Sequence, residues 1–225
     1  MNRLTARHPQ WWVAVAVAVA WLVLLAGLLA GGHHHAPRYR ASTVDDMGGW
    51  MLMAFAMTVP LTLPAVRYVA RNSIRSRRQR AMLLYLAAYL GVWAAFGIVA
   101  LTIVWLAGEP LHKVLVIGLL MVAAGWQLTR TKRRALLACR RTVPLPPEGR
   151  RADVACLRFG VRQGWRCVVS CWPLMLLMAV VTNVLWMVAL AIVMYAEERT
   201  TTGRRLVRPM AAVLAAIGTA AALLA

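Results

Sequence analysis

Charge is scarce in this chain. Only 15% of its 225 residues are charged, against roughly 25% in a soluble domain. Acid is scarcer still, with seven Asp and Glu beside 26 Lys and Arg. No two carboxylates are spaced for general acid–base work, no nucleophile stands beside a histidine, and no glycine-rich loop cradles a phosphate. An enzyme is therefore the least favoured class. Asp45, Asp46, Glu197 and Glu198 fall at helix ends, where dipole and solvation reasons account for them. Cysteine is also sparse: Cys139, Cys156, Cys167 and Cys171 are too few and too scattered for a disulfide framework. No repeat relates the two halves of the chain, and many transporters are built on such repeats.

What the chain does have is apolar length. It is 61% hydrophobic, and runs of about 20 apolar residues, enough to cross a hydrocarbon core about 30 Å thick, recur along it. The expectation is an all-α, polytopic membrane bundle of seven spans. The first, Trp11 to Gly32, follows Arg3 and Arg7 but is longer than a signal-peptide core. It is taken as an uncleaved span anchored by Trp11 and Trp12. The second runs from Val44 to Val69, with Asp45 and Asp46 in its first turn. Pro60 and Pro64 interrupt it, which a membrane helix tolerates where neighbours satisfy the freed carbonyls, so a kink is expected. The third covers Ala81 to Ala107 and the fourth Leu111 to Leu128. A polar segment, Thr129 to Asp153, follows, with a loop signal in "VPLPPEG".

Beyond it the pattern is ambiguous. Arg166 to Ala196 is either one long helix, giving six spans, or a hairpin turning near Thr182–Asn183. The hairpin splits it into a fifth span (Val154 to Val181) and a sixth (Val184 to Glu197). Charge favours the hairpin. Six arginines, Arg67 to Arg80, lie at the end of span two and in the loop before span three, and eight Lys and Arg lie between span four and Asp153. Both segments are then cytoplasmic, as is the N-terminus, and only the hairpin also keeps the four arginines of "EERTTTGRRLVR" inside. Val207 to Ala225 completes the count. Residues 1–43 form an N-terminal span and outer loop, 44–203 the core, and 204–225 a C-terminal span. The net charge of +19 follows from the positive-inside rule, and no nucleic-acid partner is expected. The basic loops suit anionic lipid headgroups.

The soft donors draw attention on that scaffold. With about 100° per residue, Cys171, Met175 and Met178 all lie within about 80° of Cys167 round one helix. Thiolate and thioether select cuprous copper, and thiolate also zinc. Met53 and Met57 repeat the i, i+4 spacing on the second span. Cys139 and Cys156 stand near the cytoplasmic end, so a methionine-lined, cysteine-based copper relay is one reading. Packing is the other, since Met fills gaps and free Cys behaves as a small hydrophobe. His33 to His35 form an outer cluster, either a polar loop or an imidazole site, and His112 is expected in a solvated loop. Arg158, Arg162 and Arg166 share a helix face at i, i+4, i+8. They either flank the membrane or form an anion site.

Five segments in order, "WMLMAFAMTVP", "YLGVWAAFG", "AAGWQLTRTKRRALLACR", "GVRQGWRCVVSCWPLM" and "NVLWMVALAIVMYAEE", resemble a bacterial family. It is described as predicted metal-binding integral membrane proteins, a domain of unknown function sometimes labelled copper chaperone. The resemblance covers about Gly49 to Gly203. Family members carry AMMxP where this chain has Ala56-Met57-Thr58-Val59-Pro60, and KxxCLxxCR where it has Lys132, Ala135-Leu136 and Cys139-Arg140. They carry CxGCCWxLM where it keeps Cys167, Cys171, Trp172, Leu174 and Met175 but has Val169 and Ser170, and EK where it has Glu197-Glu198. Three soft donors of the pattern are absent. The resemblance implies copper as the metal. The ligands left to it are Cys139, Cys167 and Cys171, helped by Met53, Met57 and Met175.

Three functions follow as expectations. The first is copper binding, delivery or cuproenzyme assembly in the bacterial inner membrane, with a cuproprotein client. The second is a non-catalytic accessory subunit of a membrane complex, for which the small residues of "AAYLGVWAAFG" allow close helix approach. The third is a small-molecule or lipid transporter using the arginine stripe.

Overall fold

The computed structural model describes residues 10–29, 43–107, 112–146, 148–181, 183–199 and 203–223. These form eight helices and, among the described residues, no strand: α1 (Trp11–Leu29), α2 (Thr43–Arg71), α3 (Arg78–Ala107), α4 (His112–Leu128), α5 (Arg130–Cys139), α6 (Gly149–Val180), α7 (Val184–Arg199) and α8 (Gly203–Leu223). The histidine cluster at 33–35 lies outside the described residues. His112 opens α4 rather than lying in a loop.

Three helices, α2, α3 and α6, are long and apolar enough to cross a membrane, and a fourth is added if α4 and α5, bent by 70°, count as one broken span. The apolar parts of α1 and α8 are shorter. The described residues thus contain fewer full-length candidates than seven spans require.

The turn between α6 and α7 resolves the hairpin question. Helix α6 ends at Val180, and the Asn183 side chain accepts from the N–H groups of Leu185 (2.8 Å) and Trp186 (3.3 Å). That is the bonding of an N-cap, so Arg166 to Ala196 is two helices. The polar segment after α4 holds a short helix that composition alone did not announce. Thr129 starts it by accepting from the Lys132 N–H at 3.2 Å while its own hydroxyl donates to the Trp126 carbonyl at 2.8 Å. One side chain thus closes α4 and opens α5. At the far end of α5, Arg166 donates to the Ala138 carbonyl at 2.8 Å and Gln163 to that of Cys139 at 2.7 Å, covering carbonyls that a helix end leaves unpaired.

Helix α6 is the centre of the bundle and packs on α2, α3, α4, α5 and α7. Its closest approach is to α3. A Cβ on Gly160 would lie 2.4 Å from the Tyr85 carbonyl oxygen and 2.9 Å from Ala88 Cβ, and one on Gly164 would lie 3.0 Å from the Tyr89 carbonyl oxygen. Two glycines four apart therefore let the backbones meet, the arrangement small residues permit in membrane helices. Gly97 on α3 is likewise filled, by the Trp50 ring, whose indole donates to the Trp93 carbonyl at 3.0 Å.

The prolines are accommodated by tryptophans. A proline removes the N–H that would bond the carbonyl four residues back. Pro60 frees the Ala56 carbonyl, and Trp21 of α1 donates to it at 3.0 Å. Pro173 frees the Val169 carbonyl, and Trp126 of α4 donates to it at 3.0 Å. Helix α2 continues through both its prolines.

The basic segments gather at one end. Asp153 pairs with Arg77 and with Arg80 (2.9 Å), and the Tyr68 hydroxyl donates to the Val143 carbonyl at 3.1 Å. Val13 of α1 packs in the same cluster as Cys156 and Phe159, so α1 begins at that end.

Candidate functional site

A larger core cluster fills the rest of the bundle and is rich in sulfur. Cys167, Cys171, Met175 and Met178 from α6 are buried in it with Met53 and Met57 from α2 and Met187 and Met194 from α7. Helix direction orders these donors. Moving away from the basic end, α6 presents Cys167, Cys171, Met175 and Met178 in turn, and α2 presents Met57 before Met53. Along α6 the thiols therefore lie nearer the basic end than the thioethers.

The two thiols are neighbours. Cys171 Sγ donates to the Cys167 carbonyl at 2.9 Å, one helical turn along. The Tyr89 hydroxyl sits 3.2 Å from Cys167 Sγ and 3.3 Å from the Thr58 carbonyl oxygen, and its one proton serves either acceptor. Tyr89 stacks with Tyr85, whose hydroxyl is bonded to Thr62. Sequence reasoning passed over both tyrosines. Their signal was the i, i+4 spacing in "YLAAY", which the small residues around it obscured.

Two positions where the resembling family carries sulfur hold hydroxyls here, and both are tied to their own helix. Thr58 donates to the Ala54 carbonyl at 2.7 Å and Ser170 to that of Cys167 at 2.8 Å. Neither supplies the soft donor that cuprous copper selects.

Cys139 is buried but lies outside the sulfur cluster. It lines a cavity of about 130 Å³ with Gln163, Glu198 and Arg199. Burial, reinforced by Glu198, pushes its thiol well above the ordinary range against the opposite pull of Arg166 and Arg199. Cys156 packs in the basic-end cluster, about 16 Å along α6 from Cys167 at 1.5 Å per residue. All four cysteines are free. Among the described residues no three His, Cys, Asp or Glu side chains gather closely enough to hold a metal. The donor set that stands together is two thiols with surrounding thioethers. That set fits cuprous copper, which accepts soft ligands at low coordination number.

Charge is buried beside this core. Lys132 Nζ lies 2.7 Å from Glu197 Oε2, with 2% of each side chain exposed. The partner of Glu197 is this lysine rather than an arginine of the basic end. The other carboxylate oxygen, Glu197 Oε1, has no partner among the described residues. Arg140 donates from Nε to the Glu198 carbonyl at 2.8 Å, and Arg199 bonds the Leu61 carbonyl, so the end of α7 is fastened to α5 and α2.

The arginine stripe divides. Arg166 caps α5 as described. Arg158 and Arg162 instead line a groove of about 530 Å³ together with Arg150 and Arg151.

A family model described as PpoB2, copper chaperone, matches residues 47–221. No curated protein and no solved structure matches the chain.

Proposed function

The chain belongs to the PpoB2 copper chaperone family, and from that premise we propose that it is a non-catalytic, multi-pass protein of the bacterial inner membrane that carries cuprous copper to a cuproprotein client. The observation that carries this reading is the burial of Cys167 beside Cys171 in one cluster with Met53, Met57 and Met175. Its basic end faces the cytoplasm, in keeping with the positive-inside rule.

Copper is the cargo. Binding it at two thiols forms two Cu–S bonds and releases two protons, so loading is favoured as pH rises. The product carries one net negative charge. Thioethers have no proton to lose, so Met53, Met57 and Met175 hold the ion without that pH dependence and suit the stretch leading towards the pair. The Tyr89 hydroxyl oxygen lies 3.2 Å from Cys167 Sγ, and its proton steadies a thiolate formed there. Cys139, beyond the pair towards the basic end, is the next thiol available.

The test is made in cells that lack the protein and grow on limiting copper. Wild-type chain is expected to restore the activity of membrane cuproenzymes, Cys167→Ser with Cys171→Ser is expected not to, and excess copper in the medium should bypass the defect. Full restoration by the serine pair would remove the proposal.

A further inference from the structure

The groove that takes Arg158 and Arg162 out of the stripe has no part in copper handling, and its composition is unusual. Arg150, Arg151, Arg158 and Arg162 line it, and no acidic side chain does. None of the four makes an ion pair among the described residues. Of the two acids nearest in sequence, Asp153 is held by Arg77 and Arg80, and Glu148 does not line the groove. The start of α6 adds to the positive field. Glu148 at its N-cap makes no side-chain hydrogen bond to the first turn, and two arginines stand where a helix dipole disfavours cations. Round the helix, Arg151, Arg158 and Arg162 fall within about 40° of one another. Four guanidinium groups without an ion pair round one groove, three of them on one helix face, call for an anion with more than one charged group.

Depth says which kind. Helix α6 has 32 residues, about 48 Å at 1.5 Å per residue, well beyond a hydrocarbon core of about 30 Å. Counted from Val180, Arg162 lies about 27 Å and Arg158 about 33 Å along the axis. They bracket the level where acyl chains give way to headgroups, and Arg150 and Arg151 stand further out. Val161, 50% exposed, lies between Arg158 and Arg162, and towards the middle of the helix the surface continues as Trp165, 63% exposed. The groove also has an apolar wall that includes Phe159 and Val154. Guanidinium groups interleaved with apolar surface, which runs on past Arg162 at Trp165, match an amphiphile.

We propose that this groove is a binding site for an anionic phospholipid carrying two phosphates, with one phosphate against Arg158 and Arg162, the other against Arg150 and Arg151, and an acyl chain along Val161 and Trp165. Guanidinium forks bind phosphate in two-point fashion, and basic clefts between helices on the cytoplasmic side are where such headgroups are held. The site rests on the membrane placement proposed above and is independent of copper.

The full-length protein is reconstituted into phosphatidylcholine nanodiscs containing either a two-phosphate lipid, cardiolipin, or twice as much phosphatidylglycerol, so that total lipid charge is equal. Lipid retained through detergent re-extraction is counted by native mass spectrometry. The expected result is retention of cardiolipin at least tenfold above phosphatidylglycerol, unmoved by millimolar inorganic phosphate or a polyglutamate peptide. Arg158→Gln with Arg162→Gln should abolish the preference. Arg130→Gln with Arg134→Gln, an equal charge change on exposed positions of α5, should leave it intact. Equal retention of the two lipids by wild-type protein overturns the proposal without recourse to any variant. So does equal loss in both variant pairs, which would mean diffuse surface charge, or displacement by phosphate or by the acidic peptide. Carbonate extraction of native membranes separates the premises: a chain that stays in the pellet yet shows no lipid preference keeps its membrane placement and loses this site. Copper content of the Arg158/Arg162 variant should equal that of wild type.

Discussion

At the scale of single residues, the chain joins prolines to tryptophans. Pro60 and Pro173 each leave a carbonyl without its helical donor, and Trp21 and Trp126 each supply an indole N–H at 3.0 Å. A buried carbonyl stripped of its partner costs about 1–3 kcal/mol. Trp126→Phe should therefore lower stability by about that much, read as an earlier thermal transition in detergent. In a Pro173→Ala background the helix bonds that carbonyl itself, so the cost of Trp126→Phe should fall to its packing part. Equal costs in both backgrounds would show that the indole contributes only bulk. A second residue-scale prediction concerns Ser170, whose hydroxyl is bonded to the Cys167 carbonyl at 2.8 Å. Ser170→Cys places a third thiol next to Cys171. Competition against a chromogenic cuprous chelator should show at least tenfold tighter copper binding, about 1.4 kcal/mol.

At the scale of elements, the contact between α3 and α6 sets the position of everything else in the site. Tyr89 reaches Cys167 because Gly160 and Gly164 let α6 close on the α3 backbone. A methyl group on Gly160 meets the Tyr85 carbonyl oxygen and Ala88 Cβ at distances that force the helices apart, and overpacking of this kind costs about 1–3 kcal/mol. Gly91, on the same α3, has nothing within 4 Å of such a group. Gly160→Ala should therefore lower the melting temperature and weaken copper retention, whereas Gly91→Ala should be neutral or slightly stabilising, by up to about 1 kcal/mol from helix propensity. Differential scanning fluorimetry on the two variants separates a specific helix contact from a general intolerance of added bulk. The small residues of "AAYLGVWAAFG" thus serve contacts within the chain at Ala88 and Gly97.

At the scale of the whole molecule, the chain combines a sulfur-lined core with a basic end fastened by polar contacts. The pair Lys132–Glu197 ties α5 to α7 at 2.7 Å with 2% of each side chain exposed. Removing one member leaves a buried charge uncompensated, at a cost of about 3–5 kcal/mol. Lys132→Met alone should therefore destabilise far more than Lys132→Met with Glu197→Gln, as chemical denaturation would show. Most of this architecture was legible in the sequence. Apolar run lengths placed the helices within a few residues, and the count of arginines favoured the hairpin over one long helix. Helix α5 was not legible, because "RTKRRALLAC" is too short and basic for an apolar-run reading, and its cap, Thr129, acts through geometry. In the site, periodicity placed Cys167, Cys171 and Met175 on one helix side. It said nothing of distances across the bundle, so Tyr89, the Lys132–Glu197 pair and the separation of Cys139 from the sulfur cluster emerged only in three dimensions. The arginine stripe shows the same limit: three residues on one helix face were divided between a helix cap and a groove by α5, a neighbour that the periodicity of α6 does not encode.

The central claim is that the buried thiol pair holds copper, and metal content tests it most directly. The protein is purified in mild detergent under reducing, copper-supplemented conditions. Metals are then measured by mass spectrometry and X-ray absorption beside Cys167→Ser with Cys171→Ser. The account predicts near-stoichiometric cuprous copper with sulfur-only ligation in the wild-type chain and its loss in the serine pair. Copper retained equally by both proteins, or absent from both, would contradict it and leave the sulfur-rich core as packing.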